Sequence, residues 1–219
     1  TFLGWAAEFI GTQTGLPFGV YHYTEKLQPQ IGHVPLLIPI AWFMMLPVSW
    51  GLAQQLFYTI NASAKGENEN ENENEGKSAT SPFRQRLIIA VISAVYMTAW
   101  DLFLDPQMVA WDFWVWESPG QINYFGIPLL NYAGWLLVSF LMTWLINPPD
   151  LRVIYPQLWL MYAIVWFLET FGLLLFWGLA GPAIVGGIVM GSLLFLPVLL
   201  QFNANRRTNV EFQFSQLNQ

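Results

Sequence analysis

Continuous apolar runs, long enough to cross a bilayer, constrain this chain more than any other feature. A helix needs about 20 residues to span ~30 Å of hydrocarbon. Runs of that kind lie at 34–58, 86–104, 125–146, 155–178 and 182–202. Residues 1–11 (TFLGWAAEFIG) read as the tail of one more apolar helix. No charged segment precedes them, so they do not read as a signal peptide, and further helices are expected upstream of Thr1 in the complete protein. Barrel strands alternate polar and apolar residues in segments of about 10. The runs here are unbroken and about twice that length, which favours helices. The expected fold is all-α: a polytopic transmembrane helix bundle with five full spans plus part of a sixth at the N-terminus.

Charge supports this. The chain has 8 Lys+Arg and 14 Asp+Glu in 219 residues. Nine of these charges lie in residues 61–86, which leaves 13 for the other 193 residues. That is far below the ~25% of a soluble domain and excludes a soluble enzyme, a nucleic-acid binder and an intrinsically disordered chain. The segment NASAKGENENENENEGKSATSP, 61–82, repels itself and cannot build a core. It is expected to be a disordered Glu/Asn-rich cytoplasmic linker. Residues 1–60 and 83–205 then form a single transmembrane domain, with 206–219 as a cytoplasmic tail. With 61–86 inside, five spans put Lys65, Lys77, Arg84, Arg86, Arg152, Arg206 and Arg207 on one side and only Lys26 on the other. This asymmetry is the one expected of cytoplasmic loops. It sends the N-terminal remnant outward and makes 12–33 an external loop or re-entrant segment.

The residue types narrow the chemistry. There is no Cys, so thiolate ligands, thiol nucleophiles and disulfides are excluded. With His22 and His33 the only histidines, a His-rich metal site is not expected; a carboxylate-rich one stays open, and no metal ligands are assigned. Phosphate-loop, dinucleotide, zinc-protease and nucleophile-elbow motifs are missing. An ionisable group inside a membrane costs ~2.5–3.5 kcal/mol on insertion scales, so each merits a functional hypothesis. The candidates are Glu8, Asp101, Asp105 and Glu169. Asp101 and Asp105 are four apart and share a helix face. Pro106 follows directly, so the helix is expected to end there, at the outer interface. No basic residue is near them in sequence, and in such a pair one carboxyl keeps its proton while the other ionises, the arrangement an acid catalyst needs. The structural alternative is two interfacial carboxylates in headgroup water. Asp112 and Glu117 fall in an external loop without Lys or Arg. Glu8, Glu169 and Asn131 could each serve only to bond a neighbouring helix. The crowded aromatics of the external segments, among them Tyr21, Tyr23, Trp100 and Trp116, fit an interfacial belt. They equally fit the lining for a long apolar ligand or a carbocation.

Two blocks carry a family resemblance. Glu8 to Trp42 reads E-x-x-G-x-x-T-G-L-P-F-G-x-Y-x-Y-T, then L-x-P, then V-P-x-x-x-P-x-x-W. Residues 98–135 read T-A-W-D-L-x-L-D-P-x-M, then W-x-W-E, and Y-F-G-I-P-L-x-N-Y-x-G-W. Over about residues 1–205 the chain resembles the membrane-bound carotenoid biosynthesis family that includes carotenoid 1,2-hydratases and bisanhydrobacterioruberin hydratases. That family has additional helices before the position of Glu8, and the Glu-Asn segment is no part of its pattern. The resemblance implies hydration of the terminal double bond of an acyclic ψ-end, as in lycopene or γ-carotene, with no cofactor. The partners implied are the carotenoid and membrane lipid, not nucleic acid. The location implied is a prokaryotic cell membrane, or a thylakoid.

Such a hydration needs a desolvated acid, a cation-tolerant wall and a held water. The residues expected to supply them are Asp101 or Asp105 as proton donor, the other orienting water, and Glu8 as an alternative acid. Tyr21, Tyr23, Trp100, Trp116, Asn131 and Glu169 are the candidate substrate-binding residues. Three readings compete: a carotenoid cyclase-type isomerase, an ion- or proton-coupled transporter using Glu8, Asp101 and Glu169, and a non-catalytic membrane scaffold. Oligomeric state is left open.

Overall fold

A computed structural model describes residues 1–68, 81–147 and 149–217. It opens with α1 (Phe2–Thr14), followed by strand β1 (Tyr21–Tyr23) and the hairpin β2–β3 (Gln30–Ile31, Val34–Pro35). Then come the long helices α2 (Leu37–Asn68) and α3 (Pro82–Ala110). Strand β4 (Trp114–Trp116), the hairpin β5–β6 (Asn123–Tyr124, Ile127–Pro128) and α4 (Leu129–Ile146) follow. A short 3-10 turn leads into α5 (Tyr155–Leu175), and α6 (Ala180–Leu217) ends the chain. Five of these helices are long and apolar enough to cross a membrane: Leu37–Ala62, Pro82–Ala110, Leu129–Ile146, Arg152–Leu175 and Ala180–Asn203. They match the five runs read from the sequence. The fold is a polytopic helix bundle, with three two-stranded pairs gathered in the segments that precede α2 and α4.

Helical backbone continues to Asn68 at the end of α2 and to Leu217 at the end of α6. Ala62, Ala64 and Lys65 are good helix formers and extend the hydrogen-bond ladder already running in α2. Residues 69–80, the centre of the expected linker, lie outside the described residues.

Helix α3 is the hub and packs against α2, α4, α5 and α6. It starts cleanly: the Ser81 side chain accepts from the Arg84 N–H, and Pro82 sits where no intrahelical N–H is needed. It does not end at Asp105. The helix runs through Pro106 to Ala110, which corrects the expected terminus. Proline leaves the carbonyl four residues back without a donor. Here that carbonyl belongs to Leu102, and the Tyr124 hydroxyl donates to it at 3.1 Å. Pro197 in α6 frees the Leu193 carbonyl in the same way, and the Tyr96 hydroxyl donates to it at 2.8 Å. Neighbouring elements thus replace the lost bonds, as an apolar environment demands.

Glycines set the closest helix approaches. A Cβ on Gly186 would lie 2.9 Å from the Phe103 ring, and one on Gly191 would lie 2.9 Å from the Trp166 indole. Small residues of this kind let helices pack where lipid tails compete for apolar contact. Large apolar side chains such as Phe43, Leu168, Ile188 and Leu199 remain on the outside, facing the membrane.

The first four helices form an internal repeat. The order helix, strand, hairpin, helix occurs twice, as α1–β1–β2–β3–α2 and as α3–β4–β5–β6–α4. At one constant offset Glu8 falls on Asp101, Tyr21 on Trp114, Tyr23 on Trp116 and Trp42 on Trp135. The segments Val34-Pro35-Leu36-Leu37 and Ile127-Pro128-Leu129-Leu130 coincide under the same offset. The copies face each other. Strands β1 and β4 pair antiparallel about His22 and Val115, with Tyr21 opposite Trp116 and Tyr23 opposite Trp114. Trp42 and Trp135 stack with centroids 4.5 Å apart and planes 8° from parallel. Both observations describe an approximate two-fold axis through this end of the bundle.

The carbonyl accounting can be tested away from the candidate site. Tyr96→Phe should lower stability by about 1–3 kcal/mol, because a buried carbonyl loses its donor. Thermal unfolding in detergent micelles measures it; an unchanged midpoint would contradict the account.

Candidate active site

The repeat concentrates polar side chains on its axis. On α1 the buried face is Gly4, Glu8 and Gly11. The two glycines leave room on either side of the carboxylate: a Cβ on Gly4 would collide with Trp42, and one on Gly11 with Phe18. Into that room come three donors. The Tyr21 and Tyr23 hydroxyls donate to Glu8 Oε2 at 2.5 Å and 2.8 Å. Trp42 Nε1 donates to Oε1 at 3.0 Å. Alternation along β1 explains why both tyrosines reach the same group, since residues two apart share a strand face.

The second copy supplies a different polar group. Asp101 and Asp105 lie one turn apart on α3, and a single amide bridges their carboxyl groups. Asn131 Nδ2, from the first turn of α4, donates to Asp101 Oδ2 at 3.0 Å and also to Asp105 Oδ2. Both aspartates are buried, at 0% and 2% exposure. This burial does not fit the alternative reading of two interfacial carboxylates in headgroup water. The continuation of α3 past Pro106 is the cause, because it carries both residues below the loop layer.

Between these two groups lies a small cavity of about 30 Å³, bordered by Glu8, Asp105, Asn131, Trp42 and Trp135, with Tyr21, Tyr23, Trp114 and Trp116 above. A water needs roughly 10–15 Å³ by this measure, so the space accommodates about one or two. The β1–β4 pair forms its roof and is secured from outside. Thr24 N–H donates to the Phe113 carbonyl at 2.9 Å, and Lys26 Nζ meets Asp112 Oδ2 at 3.0 Å. Asp112 is therefore not an unpaired loop acid; its cation comes from the other copy's loop. Inside, Trp116 Nε1 donates to the Phe18 carbonyl at 3.1 Å.

Of the residues read from sequence, Glu8, Asp105, Tyr21, Tyr23, Trp116 and Asn131 border the cavity, and Asp101 lies behind them, joined to Asp105 through Asn131. Trp100 is buried beside the site and makes an edge contact with Trp135 at 6.3 Å, but it does not border the cavity. Glu169 sits on α5 and does not border it either. The sequence reading passed over Trp42, Trp114 and Trp135 as site residues. The signal for them was present, since Trp42 and Trp135 close the two matching segments V-P-L-L and I-P-L-L at equal distance.

Against known proteins, the profile of the family described as "Carotenoid biosynthesis protein" matches residues 1–193. The chain belongs to the carotenoid biosynthesis protein family. A curated relative, a bisanhydrobacterioruberin hydratase from Haloarcula japonica, is 30% identical over 138 residues. That match covers 63% of this chain and 39% of the relative, so the chain spans about two fifths of the curated protein it resembles. No solved structure matches. In this family member, all the groups described above fall inside the matched region.

Burial, and next the Glu8 carboxylate, push the Tyr21 and Tyr23 phenols well above their ordinary value. Both therefore keep the proton they donate to Glu8. A raised phenol contributes its full stability below the unfolded value of about 10 and loses it as pH rises towards the folded value. Tyr21→Phe and Tyr23→Phe should each release as many phenolates as the wild type at pH ~11, because the residue removed was not titrating there. Ultraviolet difference titration in detergent counts them, and one phenolate fewer in either variant would refute the assignment.

Proposed function

We propose that this chain carries the reaction centre of a carotenoid hydratase, which adds water to the terminal 1,2 double bond of an acyclic ψ-end such as that of lycopene or γ-carotene. The observation that carries the proposal is the buried Asp101–Asp105 pair, joined through Asn131 and set against a water-sized space walled by tryptophans. Membership of the carotenoid biosynthesis family and the hydratase name of the relative support the substrate class. The membrane is proposed to be a prokaryotic cell membrane, which delivers an apolar polyene directly to the bundle.

Protonating a trisubstituted alkene produces a tertiary carbocation. That demands an acid held away from bulk water and a wall that tolerates positive charge. The aspartate pair can hold one proton between two carboxyls and deliver it, and the tryptophan faces supply the wall. Water then bonds the more substituted carbon and gives a tertiary alcohol. The space holds about one or two waters, so seating a branched polyene end requires the aromatic side chains around it to move. A cyclase would share the cation but lose a proton at the end. The hydratase name of the relative favours hydration over that reading.

In a lycopene-forming bacterium, the complete protein should yield pigments heavier by one water, resolved by mass spectrometry. Asp101→Asn and Asp105→Asn should each cut that product by about 100-fold or more at unchanged protein level, the usual scale for losing a general acid. Full activity in both would remove the pair from the mechanism. Glu169→Gln should keep the product. If it abolishes the product and the aspartate variants do not, the chemistry lies between α5 and α6 instead.

A further inference from the structure

The two copies of the repeat place a carboxyl group at the same position, yet surround it differently. Asp101 has a second carboxyl one turn on, Asp105; the matching position beside Glu8 is Thr12. Asp101 receives an amide donor from Asn131; the matching residue in the first copy is Ile38. In place of these partners Glu8 has Tyr21, Tyr23 and Trp42, and each donates a hydrogen bond to it. An ionised carboxylate is acceptor-only, and a protonated one must place a donor hydrogen of its own. Three donors converging on two oxygens form the cage that the ionised group fits. The aspartate pair is built the opposite way: two buried carboxyls have one amide donor between them, Asn131 Nδ2, and Asp101 Oδ1 has no hydrogen-bond partner among the described residues. The repeat has thus diverged into a proton-holding half and a proton-accepting half, on opposite sides of one cavity.

We infer that Glu8 is the catalytic base that takes the proton of the attacking water, and that Tyr21, Tyr23 and Trp42 are positioning residues that hold it across the cavity from the acid pair. The inference rests on the hydration reading above. The steps balance. The aspartate pair gives its proton to C2 of the terminal alkene, and the π pair of the double bond forms the new C–H bond, which leaves the cation at C1. A lone pair of the water oxygen bonds C1, and one water proton passes to the Glu8 carboxylate. The product is the alkene plus one water. The aspartate pair is then one proton short and Glu8 one proton richer. Transfer back across the cavity restores both.

Acid and base are separated by what happens before water adds. Membranes bearing the full-length protein are incubated with unlabelled lycopene in D2O, and both recovered lycopene and hydrated product are analysed by mass spectrometry. Glu8→Gln should lose hydration by about 100-fold or more while recovered lycopene gains deuterium at C2, because protonation still occurs and the cation returns its proton to the aspartate pair. Asp101→Asn and Asp105→Asn should show neither hydration nor exchange. Tyr23→Phe, which keeps the carboxylate, should hydrate more slowly and still exchange; it serves as the second variant if Glu8→Gln does not accumulate. Glu8→Asp should recover part of the hydration. Wild-type hydration in Glu8→Gln overturns the assignment. So does a loss of exchange together with hydration in a Glu8→Gln protein of unchanged melting temperature, which would make Glu8 part of the protonation step. If the wild-type protein forms no hydrated product, the hydration reading itself falls, and with it this role.

Discussion

Three carboxyl groups meet at one end of this bundle, and among the described residues no lysine or arginine borders the space between them. Everything nearby is arranged around that constraint. An uncompensated charge at membrane depth costs several kcal/mol, and three would exceed what the packing of a small bundle could offset. The chain reduces the charge in two ways. It lets Asp101 and Asp105 share, with Asn131 donating to both. It surrounds Glu8 with phenol and indole donors, so that the remaining charge is spread over hydrogen bonds. Neither device works without close backbone approach. Gly4 and Gly11 make that possible on α1, and Gly134 does so on α4, where a Cβ would lie 2.8 Å from Phe18 and from the Pro17 carbonyl.

The same accounting explains the roof. Strand β1 must present Tyr21 and Tyr23 to Glu8 at a fixed height, and a two-residue misplacement would remove one of them. Pairing with β4 fixes the register, because every strand residue has a defined partner. An isolated pair of three-residue strands is marginal in water. Here it is joined by a Lys26–Asp112 contact outside and by stacked and edge-on aromatics inside, including Tyr21 on Trp116 at 5.5 Å and Tyr23 against Trp114 at 5.6 Å. The outer ion pair is exposed and contributes little by itself. Its position, bridging the two copies' loops, matters more than its energy.

Much of this was legible in the residues, for physical reasons that differ by level. The five spans were readable because a bilayer admits only long apolar helices, so length and hydropathy suffice. Glu8, Asp101 and Asp105 were readable because charge in such a run is expensive and therefore conspicuous. Pro106 misled the reading of α3. A proline stops a helix only when the freed carbonyl has no other donor, and the donor here, Tyr124, lies 22 residues further on. Glu169 was readable for the same reason as Glu8: an intramembrane acid is conspicuous wherever it sits, and nothing local distinguishes the one on α5 from those on α1 and α3. Trp42 was hidden for another reason. Its indole reaches Glu8 across 34 residues; it closes the first motif block and matches Trp135 in the second copy, but neither signal says what it touches.

The internal repeat also bears on how such a site arises. Two copies facing each other across an axis bring identical positions together, so a polar residue on the buried face of one would meet its own counterpart from the other. A symmetric pair of lone carboxyls would repel across the axis. The present arrangement relieves that conflict because the copies differ: the second has Asp105 and Asn131 beside its carboxyl, and the first has Thr12 and Ile38 there and tyrosines where the second has strand tryptophans. Tryptophan can donate only through its ring nitrogen, whereas tyrosine ends in a hydroxyl that reaches further along the same face. The difference between Tyr21 and Tyr23 on one strand and Trp114 and Trp116 on the other is therefore what turns one half towards an anion and leaves the other as an aromatic wall. Symmetry supplies the enclosure, and the departures from it supply the chemistry.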